Sequence, residues 1–137
     1  MVQDDEIRLY VEPPRCTEEE VAAAIARDDP DELRLVPISV SLYHDDLEWS
    51  QAICIRLSAH RDPIVRGNAV LSFCHLARRF GELDEPRVRP IIQSALRDAD
   101  VYVREQANDI LDEVGHHLGW QFESVMQGGI GGIVGSP

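Results

Sequence analysis

Cys74-His75 sets a thiol beside an imidazole, the two groups that a cysteine nucleophile and its general base would require. Adjacent residues on a helix diverge by about 100°, however, so these two side chains cannot face one another there. Glu113-x-x-His116 has the spacing of half a carboxylate di-iron site, but that site needs a second such motif and the chain has none. His44, His60, His75 and His117 share no ligand spacing, and Cys16, Cys54 and Cys74 include no CxxC pair. Cys54 and Cys74 read instead as small core residues. All 13 basic residues are arginine, which excludes Schiff-base chemistry, a Walker-type phosphate loop and a lysine general base. Gly129-Ile130-Gly131-Gly132-Ile133-Val134 lacks the last glycine of GxGxxG and follows no strand. The expectation is a protein with no catalytic centre, no metal and no cofactor.

Two groups of residues suit binding instead. Tyr43-His44-Asp45-Asp46-Leu47-Glu48-Trp49 joins aromatics to acids, the composition of an interface anchor, and nominates Tyr43, His44, Asp45, Asp46, Glu48 and Trp49. The same stretch also suits a helix cap at Asp45 or Asp46 with Trp49 in the core. Glu105, Asp109, Asp112 and His116, spaced by four, three and four, line one helical face. With Tyr102 and Glu113 they form a second candidate surface, either an electrostatic landing strip or a plain solvated face.

Charge selects the kind of partner. The 137 residues carry 25 acids against 13 arginines, a formal charge of −12, so the chain should repel phosphate backbones and anionic lipids. The excess is steepest in residues 1–32, which hold eleven acids and three arginines. A protein partner with a basic surface is expected, with no direct nucleic-acid or membrane role and a monomeric free state. Met1-Val2-Gln3-Asp4-Asp5-Glu6 has the wrong charge for a signal peptide, and the scattered cysteines fit a reducing cytosol, so a cytoplasmic location is expected.

The elements that must position these residues follow from an internal repeat. Asp62-Pro63-Ile64-Val65-Arg66-Gly67-Asn68-Ala69 is answered 38 residues later by Asp100-Val101-Tyr102-Val103-Arg104-Glu105-Gln106-Ala107. The same shift carries Val65, Ala69, Ser72, Phe73, Leu76 and Phe80 onto Val103, Ala107, Ile110, Leu111, Val114 and Leu118, one apolar stripe on each of two helices. Asp62 and Asp100 are placed to cap those helices, Pro63 suits a first helical position, and Gly81 and Gly119 suit the stops. Each of these helices follows another apolar-periodic stretch, through Leu47, Ile53, Cys54 and Leu57 or through Val88, Ile91, Ile92, Ala95 and Leu96. Thr17-Glu18-Glu19-Glu20 reads as a capping box opening a third, degenerate pair, whose second helix runs through Leu33, Val36, Val40 and Tyr43. Pro37 would kink that helix, and Leu33, Leu35, Ile38, Val40 and Leu42 also read as extended chain.

An Asp turn followed by Val-Arg and then Ala, as in Asp62, Val65, Arg66, Ala69 and in Asp100, Val103, Arg104, Ala107, resembles the HEAT repeat of armadillo-like solenoids. The match covers about residues 46–118 well and 17–43 poorly. The resemblance implies an all-α fold, a short HEAT-like solenoid of about three helix pairs. It also implies that Arg66 and Arg104 reach the aspartate or turn of a neighbouring repeat. The expected organisation is an N-terminal arm at 1–16, a helical domain at 17–120 and a glycine-rich tail at 121–137. In size, charge and architecture the chain further resembles the HEAT-like immunity proteins of polymorphic and contact-dependent toxin systems. That resemblance implies an inhibitor of a basic toxin, with a nuclease the best electrostatic match. A scaffold or regulatory interaction module is the alternative it leaves.

Overall fold

The computed structural model describes residues 13–122, so all but the first two residues of the expected tail and most of the expected arm lie outside the described residues. At the start of the described helical region, Thr17 Oγ1 accepts from the Glu20 amide at 3.0 Å while Glu20 Oε1 accepts from the Thr17 amide at 2.9 Å. This reciprocal capping satisfies two donors that helix geometry leaves without partners, and it opens α1 (Glu18–Arg27). Asp29 caps the short α2 (Pro30–Leu33), with Pro30 in the first turn. Aspartates then cap four further helices. Asp46 precedes α4 (Leu47–Leu57), Asp62 precedes α5 (Pro63–Phe80), Asp84 precedes α6 (Glu85–Ala95) and Asp100 precedes α7 (Val101–Leu118). Gly81 and Gly119 end α5 and α7 at φ of 70° and 73°, a left-handed conformation that a side chain would strain.

The second helix of the first pair differs from its expected continuous form. It divides into α2 and α3 (Val36–Tyr43), with Pro37 in the first turn of α3. A proline has no N–H to donate back along a helix and its ring clashes with the carbonyl four residues earlier. Restarting the helix beside Pro37 removes both conflicts, because first-turn donors have no intrahelical acceptor anyway.

A feature of the turns repeats with the helices. Two residues before the cap stands an acceptor for the cap's own amide: His44 Nδ1 takes Asp46 N–H at 3.1 Å, His60 Nδ1 takes Asp62 N–H at 3.0 Å, and Asp98 Oδ1 takes Asp100 N–H at 2.9 Å. In the two histidines the other ring nitrogen reaches back to α1 or its C-cap, His44 Nε2 to Glu18 at 2.9 Å and His60 Nε2 to Asp28 at 2.6 Å. An Nδ1 that accepts fixes the proton on Nε2 in the neutral ring, which is the donor these carboxylates need.

The pairs stack as an all-helical, solenoid-like array. Helices α3, α5 and α7 lie side by side with α5 central, and α4 and α6 pack against α5 and each other. One core joins Val21, Ala24, Leu33, Val36, Val40, Leu57, Val65 and Ala69. The other gathers Val70, Phe73, Leu76, Val88, Ile92, Val103, Ile110 and Val114. The expected stripes on α5 and α7 are buried, though Phe80, Leu111 and Leu118 only partly. Helix α5 buries far more than one stripe, Gly67, Asn68, Cys74 and Ala77 included, because four helices, α3, α4, α6 and α7, pack against it.

Polar ties set the stagger between pairs. Arg34 bonds Asp62 at 3.4 and 3.5 Å, and Arg66 bonds Asp98 at 2.8 and 3.0 Å, each reaching the turn of the next pair. Arg104 donates to the Asp98 carbonyl at 2.7 Å, within its own pair's turn. Residues 13–16 lie back along α3, where Arg15 covers the Tyr43 ring at 4.2 Å and Ser39 Oγ donates to the Pro14 carbonyl. After α7, Trp120 and Phe122 return to α6, with the Arg89 guanidinium 5.5 and 5.0 Å from their rings. No helix among the described residues is long and apolar enough to cross a membrane.

A candidate protein-binding edge

The turns between successive pairs, residues 44–46 and 81–84, run side by side on one edge and enclose an open groove of about 930 Å³. Its walls carry Asp45, Asp46 and Glu48 on one side and Glu82 and Asp84 on the other, with Tyr43, His44, Leu47 and Leu83 between them. Beneath lies Gln51, only 3% exposed, whose Oε1 accepts from the Asp84 amide at 3.0 Å and whose Nε2 donates to Glu48 at 3.1 Å. The floor therefore fixes both walls.

Two arginines hold the groove open. Arg79, in the last turn of α5, donates to the carbonyls of Ser41 and His44, both at 2.8 Å, and lies 3.5 Å from the Asp45 carboxylate. Arg87 spans the walls, meeting both oxygens of Glu48 at 3.0 and 2.9 Å and Asp84 Oδ2 at 2.7 Å. Its hydrogen bond holds the Asp84 carboxyl below the usual aspartate range, so that carboxylate stays charged. Asp45 has a fully exposed side chain, and Glu82 has no ion-pair partner among the described residues. Five carboxylates against two guanidiniums leave the groove anionic.

Of the first nominated group, Tyr43, His44, Asp45, Asp46 and Glu48 all line this groove. Trp49 does not. Its amide receives the Asp46 cap at 3.0 Å and its ring packs 4.3 Å from that of His44, half-buried against the first core. The cap reading therefore holds at Asp46, with Trp49 against the core, while the other residues nominated for binding stand along the groove.

The α7 group stands apart, since none of its members lines the groove. Glu105, Asp109 and Asp112 are exposed and without ion pairs among the described residues, and His116 is exposed beside them. Glu113 turns instead toward α5, where Arg78 meets it at 2.5 Å and the Cys74 thiol at 2.7 Å. Those two bonds, Cys74 first, hold its carboxyl below the usual range. Tyr102 lies against Gly67, its hydroxyl donating to Asn68 Oδ1 at 2.5 Å, while Asn68 Nδ2 donates to the Arg34 carbonyl at 2.8 Å. Its ring and hydroxyl are engaged within the fold.

Glu82, Asp84 and Gln51 belong to the groove and were not among the nominated residues. A signal for two of them exists, because the 38-residue shift that relates the helices also carries His44 and Asp46 onto Glu82 and Asp84. No group of His, Cys, Asp and Glu among the described residues could hold a metal ion. Cys54 and Cys74 are buried, and that burial pushes both thiols up to about 12.

This architecture is found in a solved structure. A chain of the CDI complex from Cupriavidus taiwanensis LMG 19424 is similar to this one. The two are 28% identical with a TM-score of 0.68, over 79% of this chain and 96% of that one. No protein-family model and no curated protein sequence matches the chain. The likeness takes in nearly the whole of the Cupriavidus chain, so it extends over the stack of pairs rather than one shared motif.

Proposed function

We propose that this protein is a cytoplasmic immunity protein of a contact-dependent inhibition system, which binds and neutralises a cognate toxin domain. The observation that carries the reading is the 28% identity, over 96% of its length, to a chain of a CDI complex. The acidic groove supports it from the other side. A toxin that cleaves nucleic acid must present a positive cleft to phosphates, and an anionic edge would occupy that cleft while speeding encounter. A nuclease is accordingly the proposed toxin activity. Tyr43 and Leu47 would supply contact area, and Asp45, Asp46, Glu48 and Glu82 the charge. Glu105, Asp109 and Asp112 add a second anionic approach on α7. The reading needs no cofactor and no catalytic group on this chain.

The test is co-expression with a toxin domain, sought among the genes adjoining this one. Growth should recover, a one-to-one complex should form, and added salt should weaken it. A toxin that stays fully active with the chain in molar excess would overturn the reading.

A further inference from the structure

Eight of the described arginines form ion pairs with carboxylates. Arg56 does not, in a chain that carries almost two acids for every base. It is exposed on α4 and lines both cavities of a cleft between α1 and α4, of about 210 and 290 Å³. Ile25 lines both cavities as well, so the two form one continuous groove. Its walls are otherwise apolar along the middle, with Ala22, Ile25 and Ala26 facing Trp49 and Ile53. Ala22 and Ala26 leave that side of α1 exposed and without bulk, so another chain can approach closely.

The other charges in the cleft are already engaged. Glu18 bonds His44 at 2.9 Å at one end, and Asp28 bonds His60 at 2.6 Å and Arg61 at 2.5 Å at the other. Arg15, Arg97 and Arg104 also lack ion pairs among the described residues, but Arg15 lies over the Tyr43 ring, Arg104 is held by the Asp98 carbonyl, and Arg97 lines neither cavity of the cleft. Arg56 is thus the charge at the centre of an apolar cleft, free to meet a carboxylate from outside. A guanidinium makes its strongest contact with a carboxylate, and a partly desolvated setting strengthens it further.

We infer that the α1–α4 cleft is a second docking surface, built for a protein segment that presents an aliphatic side chain next to a carboxylate. The aliphatic group would sit against Ile25 and Ile53, and the carboxylate would pair with Arg56. This chemistry is opposite in sign to that of the acidic groove, so the inference stands independently of the toxin reading.

A titration of isotope-labelled full-length protein with two synthetic helical peptides tests it, one built from Leu, Ala and Glu and the other with Lys in place of each Glu. The acidic peptide should shift the amides of Ala22, Ala26 and Ile53 and the Trp49 indole, and the basic peptide should not. Arg56→Glu should weaken the acidic peptide about tenfold, the cost of one charge-assisted contact. Ala22→Leu, which fills the cleft and leaves Arg56 in place, should also weaken binding. Shifts that ignore the sign of residue 56, that centre on another surface, or that fail to appear with the acidic peptide would each overturn the inference. Toxin neutralisation by Arg56→Glu is read separately, so failure of either proposal is distinguishable.

Discussion

Arg66 and Asp98 meet across the boundary between the second and third helix pairs in a two-pronged ion pair, Nε to Oδ2 at 3.0 Å and Nη2 to Oδ1 at 2.8 Å. The remaining guanidinium nitrogen donates to the carbonyls of His60 and Arg61 at 3.1 and 3.0 Å. One side chain therefore ties its own turn to the next. Both partners are only about one-fifth exposed, at 20% and 18%, so solvent screens them little.

Replacing Arg66 should accordingly cost more than a surface charge does. Arg66→Ala should lose about 2–3 kcal/mol, because it leaves Asp98 and two carbonyls without their donor. Arg66→Lys should recover only part of that, since an ammonium cannot match the fork. The acid dependence has a definite sign. Burial alone would raise the Asp98 pKa, but the hydrogen bonds from Arg66 and the Asp100 amide outweigh it and hold the carboxyl below its ordinary value. A depressed carboxyl contributes stability above its unfolded-state pKa and loses it as pH falls through the folded one. The gap in Tm between wild type and Arg66→Ala should therefore close on acidification below the ordinary aspartate range.

Gly67 is a glycine for steric reasons. A methyl group there would fall 2.6 Å from two ring carbons of Tyr102. Alanine gains about 1 kcal/mol over glycine in a helix, but forcing the ring away costs about 1–3 kcal/mol, so Gly67→Ala should destabilise the protein. In a Tyr102→Ala background the obstacle is gone and the same substitution should become stabilising. A chemical-denaturation cycle over the four proteins measures this reversal of sign.

The three thiols should differ sharply in reactivity. Cys54 and Cys74 are buried, while Cys16 is only partly covered. Burial, then the hydrogen bond and charge of Glu113, keep the Cys74 thiol protonated at neutral pH. A disulfide reagent at pH 8 should modify Cys16 alone in the native protein and all three thiols after denaturation. Fast native labelling of Cys74 would contradict the packing of α5 on α7.

These tests probe features that were unequally legible in the sequence. The caps at Asp62 and Asp100 and the stops at Gly81 and Gly119 are local and repeat with a fixed period, and the structure has them where the sequence put them. The cross-pair reach that the HEAT resemblance implied for two arginines is present at Arg66, whereas Arg104 bonds its own pair's turn. The width of the buried surface on α5 was not legible, because periodicity reports one face and cannot count neighbours. Nor was the division at Pro37, where a kink and a restart have the same sequence signature. At the candidate edge, the stretch from Tyr43 to Glu48 drew notice by its composition. Its opposite wall at Glu82 and Asp84 is ordinary in composition and becomes part of a groove only when the repeat brings the two turns together.

The two anionic surfaces can be separated by charge reversal. Asp45 and Glu82 stand on opposite walls of the groove, whereas Asp109 and Asp112 stand on α7 outside it. All four are exposed and none caps a helix, so each double variant, Asp45→Arg with Glu82→Arg or Asp109→Arg with Asp112→Arg, should change stability by no more than about 0.5 kcal/mol per site. Both reduce the net negative charge by the same amount, so both should slow long-range encounter with a basic toxin to a similar degree. Only residues inside the contact also alter the lifetime of the complex. If the groove is the interface, the Asp45/Glu82 variant should dissociate at least about tenfold faster, while the α7 variant keeps the wild-type dissociation rate. Surface-bound toxin kinetics at two salt concentrations reads both rates. Faster dissociation in the α7 variant alone would move the interface to the last helix.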